Sequence, residues 1–224
     1  NMSHGSHEGH AAYIKAIRDA EEILDVHLPI IADLQGPKIR VADFKDIQAI
    51  PLSNGHDIRI ADTSVLKTKK IAPGVTVVPV SYPTIAKDVK KGDVLLFDDG
   101  LIKVQVKETD GSVIKAVVVH GGNLKPRKGI NLPHTAVNQP SMTAKDRSDV
   151  RFAIEQGVDY IALSFVRRAE DIDAIRKYIN KHGGSQWVIA KIEKPQAVAN
   201  LEEIVDTFDG IMVARGDLGV ELPL

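Results

Sequence analysis

The chain has 224 residues, 43% of them apolar and 26% charged, which is an ordinary globular composition for one large domain or two moderate ones. A net charge of −1 removes any electrostatic case for nucleic acid or an anionic membrane surface, so a phosphate site must be built locally from a few basic residues. With no cysteine, disulfides, cysteine-bound zinc and a catalytic thiol are excluded.

No apolar run approaches the roughly 18 residues needed to cross a bilayer. Asn1–Gly5 lacks the basic and apolar regions of a signal peptide, so no membrane contact and a cytoplasmic setting are expected. The chain opens on a small polar turn and stops at Glu221-Leu-Pro-Leu224 just past a strand, so both ends are expected to be cut.

Ala12, Ile14, Ile17, Ala20, Ile23 and Leu24 recur at helical spacing and predict an amphipathic helix over residues 8–27. Leu28–Leu34 is a short apolar run leaving into Gln35-Gly36-Pro37, the pattern of a buried strand entering a turn. From residue 43 to 140 the texture becomes β-rich, with runs at Ile58–Ile60, Val75–Val80, Val94–Phe97, Leu101–Val106 and Val113–Val119. Asp110-Gly111 between two alternating runs predicts a hairpin, and the segment reads as an inserted all-β domain.

After Pro140 the pattern alternates again. Thr143 caps a helix with Asp146 in its first turn. Then come a strand at Tyr160–Val166, a helix at Ala169–His182, a strand at Trp187–Ile192, a helix from about Pro195 to Phe208, and a strand at Gly210–Ala214. Strands that start about 25 residues apart with helices between them argue for a parallel sheet, open or closed. The domains expected are residues 1–42 and 141–224 as one α/β domain, with 43–140 inserted.

Each strand of that α/β part runs into polar residues on one side of the sheet: Asp33 with Arg40 beyond, Ser164 and Arg167, Lys191 and Glu193, then Arg215-Gly216-Asp217. Ligands bind at the carboxyl ends of strands in barrels and open sheets. Lys191 and Glu193 are two positions apart and share a strand face. The bland reading is a strand-end ion pair; against it, charge inside a parallel sheet is costly unless compensated. Glu193 and Asp217 on neighbouring strands form the sparse oxygen set that Mg²⁺ takes, and an adjacent lysine neutralises charge on a transferred group.

Ile189-Ala-Lys-Ile-Glu-Lys194 and Ile211-Met-Val-Ala-Arg-Gly-Asp-Leu-Gly-Val-Glu221 resemble the two central motifs of the pyruvate kinase family. So do Asn1-Met-Ser-His-Gly5, Gln35-Gly-Pro-Lys-Ile-Arg40, Asp98-Asp-Gly100, Gly129-Ile-Asn-Leu-Pro133 and Lys145-Asp146, in the family's order and along the whole chain. The resemblance implies part of a TIM-type (β/α) barrel with an inserted all-β lid, and phosphoryl transfer from phosphoenolpyruvate to ADP.

By the same resemblance, Glu193 and Asp217 hold Mg²⁺, Lys191 stabilises the transition state, and the backbone of Ala214, Arg215 and Gly216 binds the substrate carboxylate. Arg40 and Lys145 contact the moving phosphate and the nucleotide. Asn1, Ser3 and His4 line the nucleotide side, and Asn1, Ser3, Asp33 and Leu34 mark a monovalent-cation site. Asp99-Gly100 is a candidate for the lid's inward-facing loop, and a homotetramer is expected of the full-length protein.

Taken without the motifs, Lys145 reads as a first-turn lysine, His4 and Asp98-Asp99 as turn residues, and Trp187 as packing. Many family members carry threonine and glutamate where this chain has Leu34 and Lys38. The ammonium of Lys38 is therefore expected to supply the charge of a bound K⁺ and to make K⁺ dispensable. Two alternatives stand beside this reading: an Mg²⁺-dependent lyase acting on a pyruvate enolate, and a non-catalytic fragment. The family's barrel has eight strands, this chain supplies about half of them, and the isolated stretch is expected to be inactive.

Overall fold

The structure, a computed structural model, describes residues 1–44, 47–133, 135 and 137–222. Contacts divide it into one unit made of Asn1–Pro37 and Pro140–Leu218, and a second made of Lys38–Gln139 with the segment from Gly219. Lys38–Ala42, expected with the first unit, groups with the second. Arg40 and Val41 bridge to Gly129 and Val80, and Ile39 and Val41 are buried in its core.

The first unit opens with α1 (His7–Leu24), whose N-cap Ser6 side chain accepts from Gly9 N, and which ends on left-handed Asp25 at φ 52°. Strand β1 (Ile31–Asp33) follows. The run Leu28–Leu34 was expected to form a buried strand; only three of its residues pair, and Ile31 is exposed because β1 is the sheet edge.

The second unit holds β2 (Ile50–Leu52), β3 (Asp57–Asp62), α2 (Thr63–Thr68), β4 (Thr76–Val80), α3 (Ile85–Asp88) and β5 (Val94–Phe97). It continues with β6 (Ile102–Thr109), β7 (Val113–His120), β8 (Gly122–Leu124) and β9 (Ile130–Asn131). Six strands form one sheet in the order β4-β3-β7-β6-β5-β9, and β2 pairs with β8. Ile58, Ile60, Val104, Ile114 and Phe97 form the core, and along β6 the buried Ile102, Val104 and Val106 alternate with exposed Lys103, Gln105 and Lys107. The unit is β-rich but not all-β. Asp62 caps α2 by accepting from Ser64 N at 2.8 Å, and α3 is a further single turn.

The first unit resumes with α4 (Ala144–Glu155), β10 (Tyr160–Leu163), α5 (Asp171–Lys181) and β11 (Trp187–Ile192). It ends with α6 (Pro195–Ala199), α7 (Leu201–Thr207), β12 (Gly210–Val213) and α8 (Arg215–Glu221), whose last turn passes into the second unit. Its sheet is wholly parallel in the order β1-β10-β11-β12. Val188, Ala190, Ile161 and Leu163 bury against Val150, Ile172, Ile175 and Ile204 of the helices.

Two expected elements differ. The helix predicted from about Pro195 to Phe208 breaks at Asn200, whose side chain donates to Arg167 O at 2.9 Å instead of continuing the helix. The strand predicted over Tyr160–Val166 stops at Leu163, and Phe165 adopts φ 58° in the turn beyond it.

Candidate active site at the carboxyl ends of the parallel strands

The polar strand ends of the first unit meet at Lys191. Its ammonium lies 2.9 Å from Asp33 Oδ1 and 3.0 Å from Glu193 Oε1, and donates to Ser164 Oγ at 3.0 Å. Glu193 is 1% exposed and Lys191 12%, so the pair is held largely away from water. Burial alone pulls the Lys191 ammonium down, but Glu193 and Asp33 outweigh it and hold its pKa above the ordinary lysine value.

The other contacts fix this centre. Glu193 Oε2 accepts from Phe165 N at 2.9 Å, which secures the strained turn after β10. Ser164 Oγ donates to Leu34 O at 2.7 Å, so its proton is committed and a lone pair faces Lys191. Gly36, at φ 67°, packs so tightly that an added Cβ would lie 2.8 Å from Ser164 Cβ. Asp146, fully buried in the capping box of α4, accepts from Gly36 N at 3.0 Å and so ties that turn to the helix.

The N-terminal turn joins the same end of the sheet through Met2 N, which donates to Asp33 O at 2.8 Å. Ser3 N donates to Asn1 Oδ1 at 2.9 Å, and His4 O accepts from His10 Nε2. Lys145 donates to Met2 O at 2.5 Å and pairs with Asp149 at 2.6 Å. Met2 thus links the Asn1–His4 turn to Asp33 and Lys145. The Leu34 side chain is sealed in the core, and its carbonyl accepts from Ser164 Oγ.

Arg215, Gly216 and Asp217 were expected at a strand end. They instead form the first turn of α8, separated from β12 by Ala214 alone. Ala214 N donates to Ile192 O at 3.2 Å, which places the start of that turn beside Glu193 in the ladder. An acidic residue in a first helical turn faces the positive end of the peptide dipoles. As two hard carboxylates Glu193 and Asp217 match the donor chemistry of Mg²⁺, although Glu193 Oε1 is shared with Lys191 and Oε2 with Phe165 N–H. Among the described residues no group of three or more histidine or acidic side chains is placed to hold a metal ion.

Arg40 and Lys38 belong to the second unit. Arg40 donates to Arg127 O at 3.1 Å, and the Lys38 stem lies over Gly129, where an added Cβ would sit 3.0 Å from its Cε. Asp98 and Asp99 take left-handed backbones, and Asp98 pairs with Lys128 at 2.8 Å. Trp187 packs edge-on against Tyr160 with 58% of its surface exposed. Arg167 approaches Asp171 at 3.9 Å. Among the described residues, no helix is long and apolar enough to cross a membrane.

The sequence places Gly36 in a turn and Asp146 in the first turn of a capped helix, but it does not single out Asp149 or Phe165. Asp149 was findable, since it stands four residues after Lys145 on one helix face.

A family model described as pyruvate kinase, barrel domain, matches residues 1–224. A pyruvate kinase of Corynebacterium glutamicum is 44% identical over 224 residues, covering 100% of this chain and 46% of the relative. One from Geobacillus stearothermophilus is 44% identical over 227 residues, covering 100% and 37%. One from Thermococcus litoralis is 41% identical, covering 100% and 46%. The chain thus spans less than half the length of the curated relatives it matches. The four parallel strands are part of a TIM-type barrel, and the chain belongs to the pyruvate kinase family.

Proposed function

We propose that the intact protein transfers the phosphoryl group of phosphoenolpyruvate to ADP. The bond from phosphorus to the enol oxygen breaks as one to the β-phosphate oxygen of ADP forms, and the enolate left behind takes a proton to become pyruvate. One observation carries this reading: a buried ammonium, Lys191, held between Asp33 and Glu193 at the carboxyl ends of the strands. Such a charge is placed to offset negative charge that develops on the moving phosphoryl group and the enolate oxygen.

Glu193 and Asp217 would hold Mg²⁺, which supplies Lewis-acid neutralisation of the phosphate and enolate oxygens when bound. The first turn of α8, with the N–H groups of Arg215 and Gly216 unsatisfied within the helix, suits the substrate carboxylate. Lys145 and the Asn1–His4 turn bind the nucleotide side, with Arg40 on the phosphate. The second unit acts as a lid that excludes water, with Asp99-Gly100 in its inward-facing loop. The full-length protein is a cytoplasmic homotetramer, and the 224-residue stretch alone is inactive. The lyase reading gains nothing from the family match and is set aside.

A coupled assay with lactate dehydrogenase on the intact protein, with phosphoenolpyruvate, ADP and Mg²⁺, tests this. Pyruvate formation that requires ADP is expected, and its absence contradicts the reading. Lys38 adds an ammonium where many relatives carry an acid, which supports turnover without K⁺. A many-fold rise in rate when K⁺ replaces a bulky inert cation contradicts that part alone.

A further inference from the structure

Asp149 is a buried carboxylate to which the reaction above assigns no role. Its side chain is 3% exposed, yet both oxygens are engaged: Oδ1 accepts from His7 Nε2 at 2.8 Å and Oδ2 from Lys145 Nζ at 2.6 Å. The second partner is the informative one. Lys145 sits in the first turn of α4, where the helix dipole disfavours an ammonium, and the Asp149 carboxylate offsets that. Asp149 follows four residues later on the same face, and Met2 O accepts a second Lys145 hydrogen at 2.5 Å.

A lysine ammonium has three donors. Two are used inside the fold, and no third acceptor is in range among the described residues. The His7 ring is fixed as well, stacked on Phe152 at 4.4 Å between centroids. Beside them opens a cavity of about 360 Å³ lined by Ser6, His7, His10, Lys145 and Asp149.

We propose that Asp149 is a positioning residue. It locks the Lys145 ammonium against the Asn1–His4 turn, so that the remaining N–H meets a phosphate oxygen of the nucleotide. This rests on the phosphotransferase reading given above. A purely structural Asp149 would pin α1 to α4 through His7, and its loss would lower stability without changing nucleotide affinity.

The test uses steady-state kinetics of the intact protein with Asp149→Asn, Lys145→Met and the double variant. Asp149→Asn raises KM for ADP about tenfold and leaves KM for phosphoenolpyruvate within about twofold. In the Lys145→Met background it adds less than about twofold, because a residue that acts through another is not additive with it. If Lys145→Met raises KM for ADP but Asp149→Asn does not, or if the two effects multiply, the positioning role is overturned while the phosphotransferase reading stands. If Lys145→Met leaves KM for ADP unchanged, the nucleotide role of Lys145 fails, and the inference falls with it. Should Asp149→Asn not fold, Asp149→Glu decides: it keeps the charge but shifts the carboxylate by one methylene, so KM for ADP should rise at least about threefold, and an unchanged KM overturns the proposal.

Discussion

The Lys191 ammonium lies 3.0 Å from Glu193 Oε1, while the other oxygen of Glu193 is taken by Phe165 N–H. In the folded protein the carboxylate proposed to bind Mg²⁺ therefore already carries a countercation. A divalent ion at Glu193 must share that oxygen with Lys191 or displace the ammonium toward Asp33, 2.9 Å away on its other side.

Lys191→Met leaves the buried Glu193 without its charge partner. Truncating one member of such a pair costs about 3–5 kcal/mol. The melting temperature should fall accordingly in metal-free buffer, and millimolar Mn²⁺ should raise it more in the variant than in the unmutated protein. Equal Mn²⁺ shifts in calorimetry would count against a metal at Glu193.

Ser164→Ala removes one hydroxyl that joins Leu34 O to Lys191. Leaving the buried Leu34 carbonyl unpartnered costs about 1–3 kcal/mol. With its third contact gone, Lys191 is less well placed. In the intact protein kcat should fall roughly tenfold, with little change in KM for phosphoenolpyruvate. A change confined to KM would assign Ser164 to binding instead.

Gly36→Ala places a Cβ 2.8 Å from Ser164 Cβ and 2.9 Å from the Phe165 ring, on a backbone at φ 67°. Overpacking and left-handed strain together should cost about 2–4 kcal/mol, read from urea unfolding. Gly74→Ala is the control: its φ is also positive, at 80°, but nothing lies within 4 Å, so it should cost clearly less.

The β6–β7 hairpin carries a pH signature. Lys69, with the N–H groups of Val113 and Ser112, holds the Asp110 carboxyl down from 3.8 to about 2. A lowered folded pKa means that its stabilisation is complete above 3.8 and is lost as pH falls through about 2. The carboxylate is half exposed, so salt screens much of the effect. Carboxyl NMR should follow its titration near 2, moving up in Lys69→Ala. Lys191 runs the other way. Its raised pKa keeps its contribution intact below the ordinary 10.5, to be lost as pH climbs through the higher folded value.

Period and punctuation made much of this legible in the sequence. Val94–Phe97 and Trp187–Ile192 form strands over the residues that the apolar runs mark, and Asp110-Gly111 forms its hairpin. Failures came where one side chain outweighed the pattern. Asn200 bonds to Arg167 O and splits a helix whose apolar period runs on unbroken. Asp217 was placed at a strand end because β12 and α8 are separated by a single residue, with no turn signal between them. Lys191 and Glu193 could be paired from their spacing. Asp33 and Ser164 could only be seen as neighbours of that pair once the register of β1, β10 and β11 was known.

The most direct measurement is phosphoryl transfer in a single turnover. The intact protein, unmutated and as Lys191→Met, is mixed with phosphoenolpyruvate, ADP and Mg²⁺ and quenched, and ATP is counted. The account predicts ATP formation in the unmutated protein and its loss by at least about 10²-fold in a folded Lys191→Met variant. Transfer at an undiminished rate in that variant would contradict it.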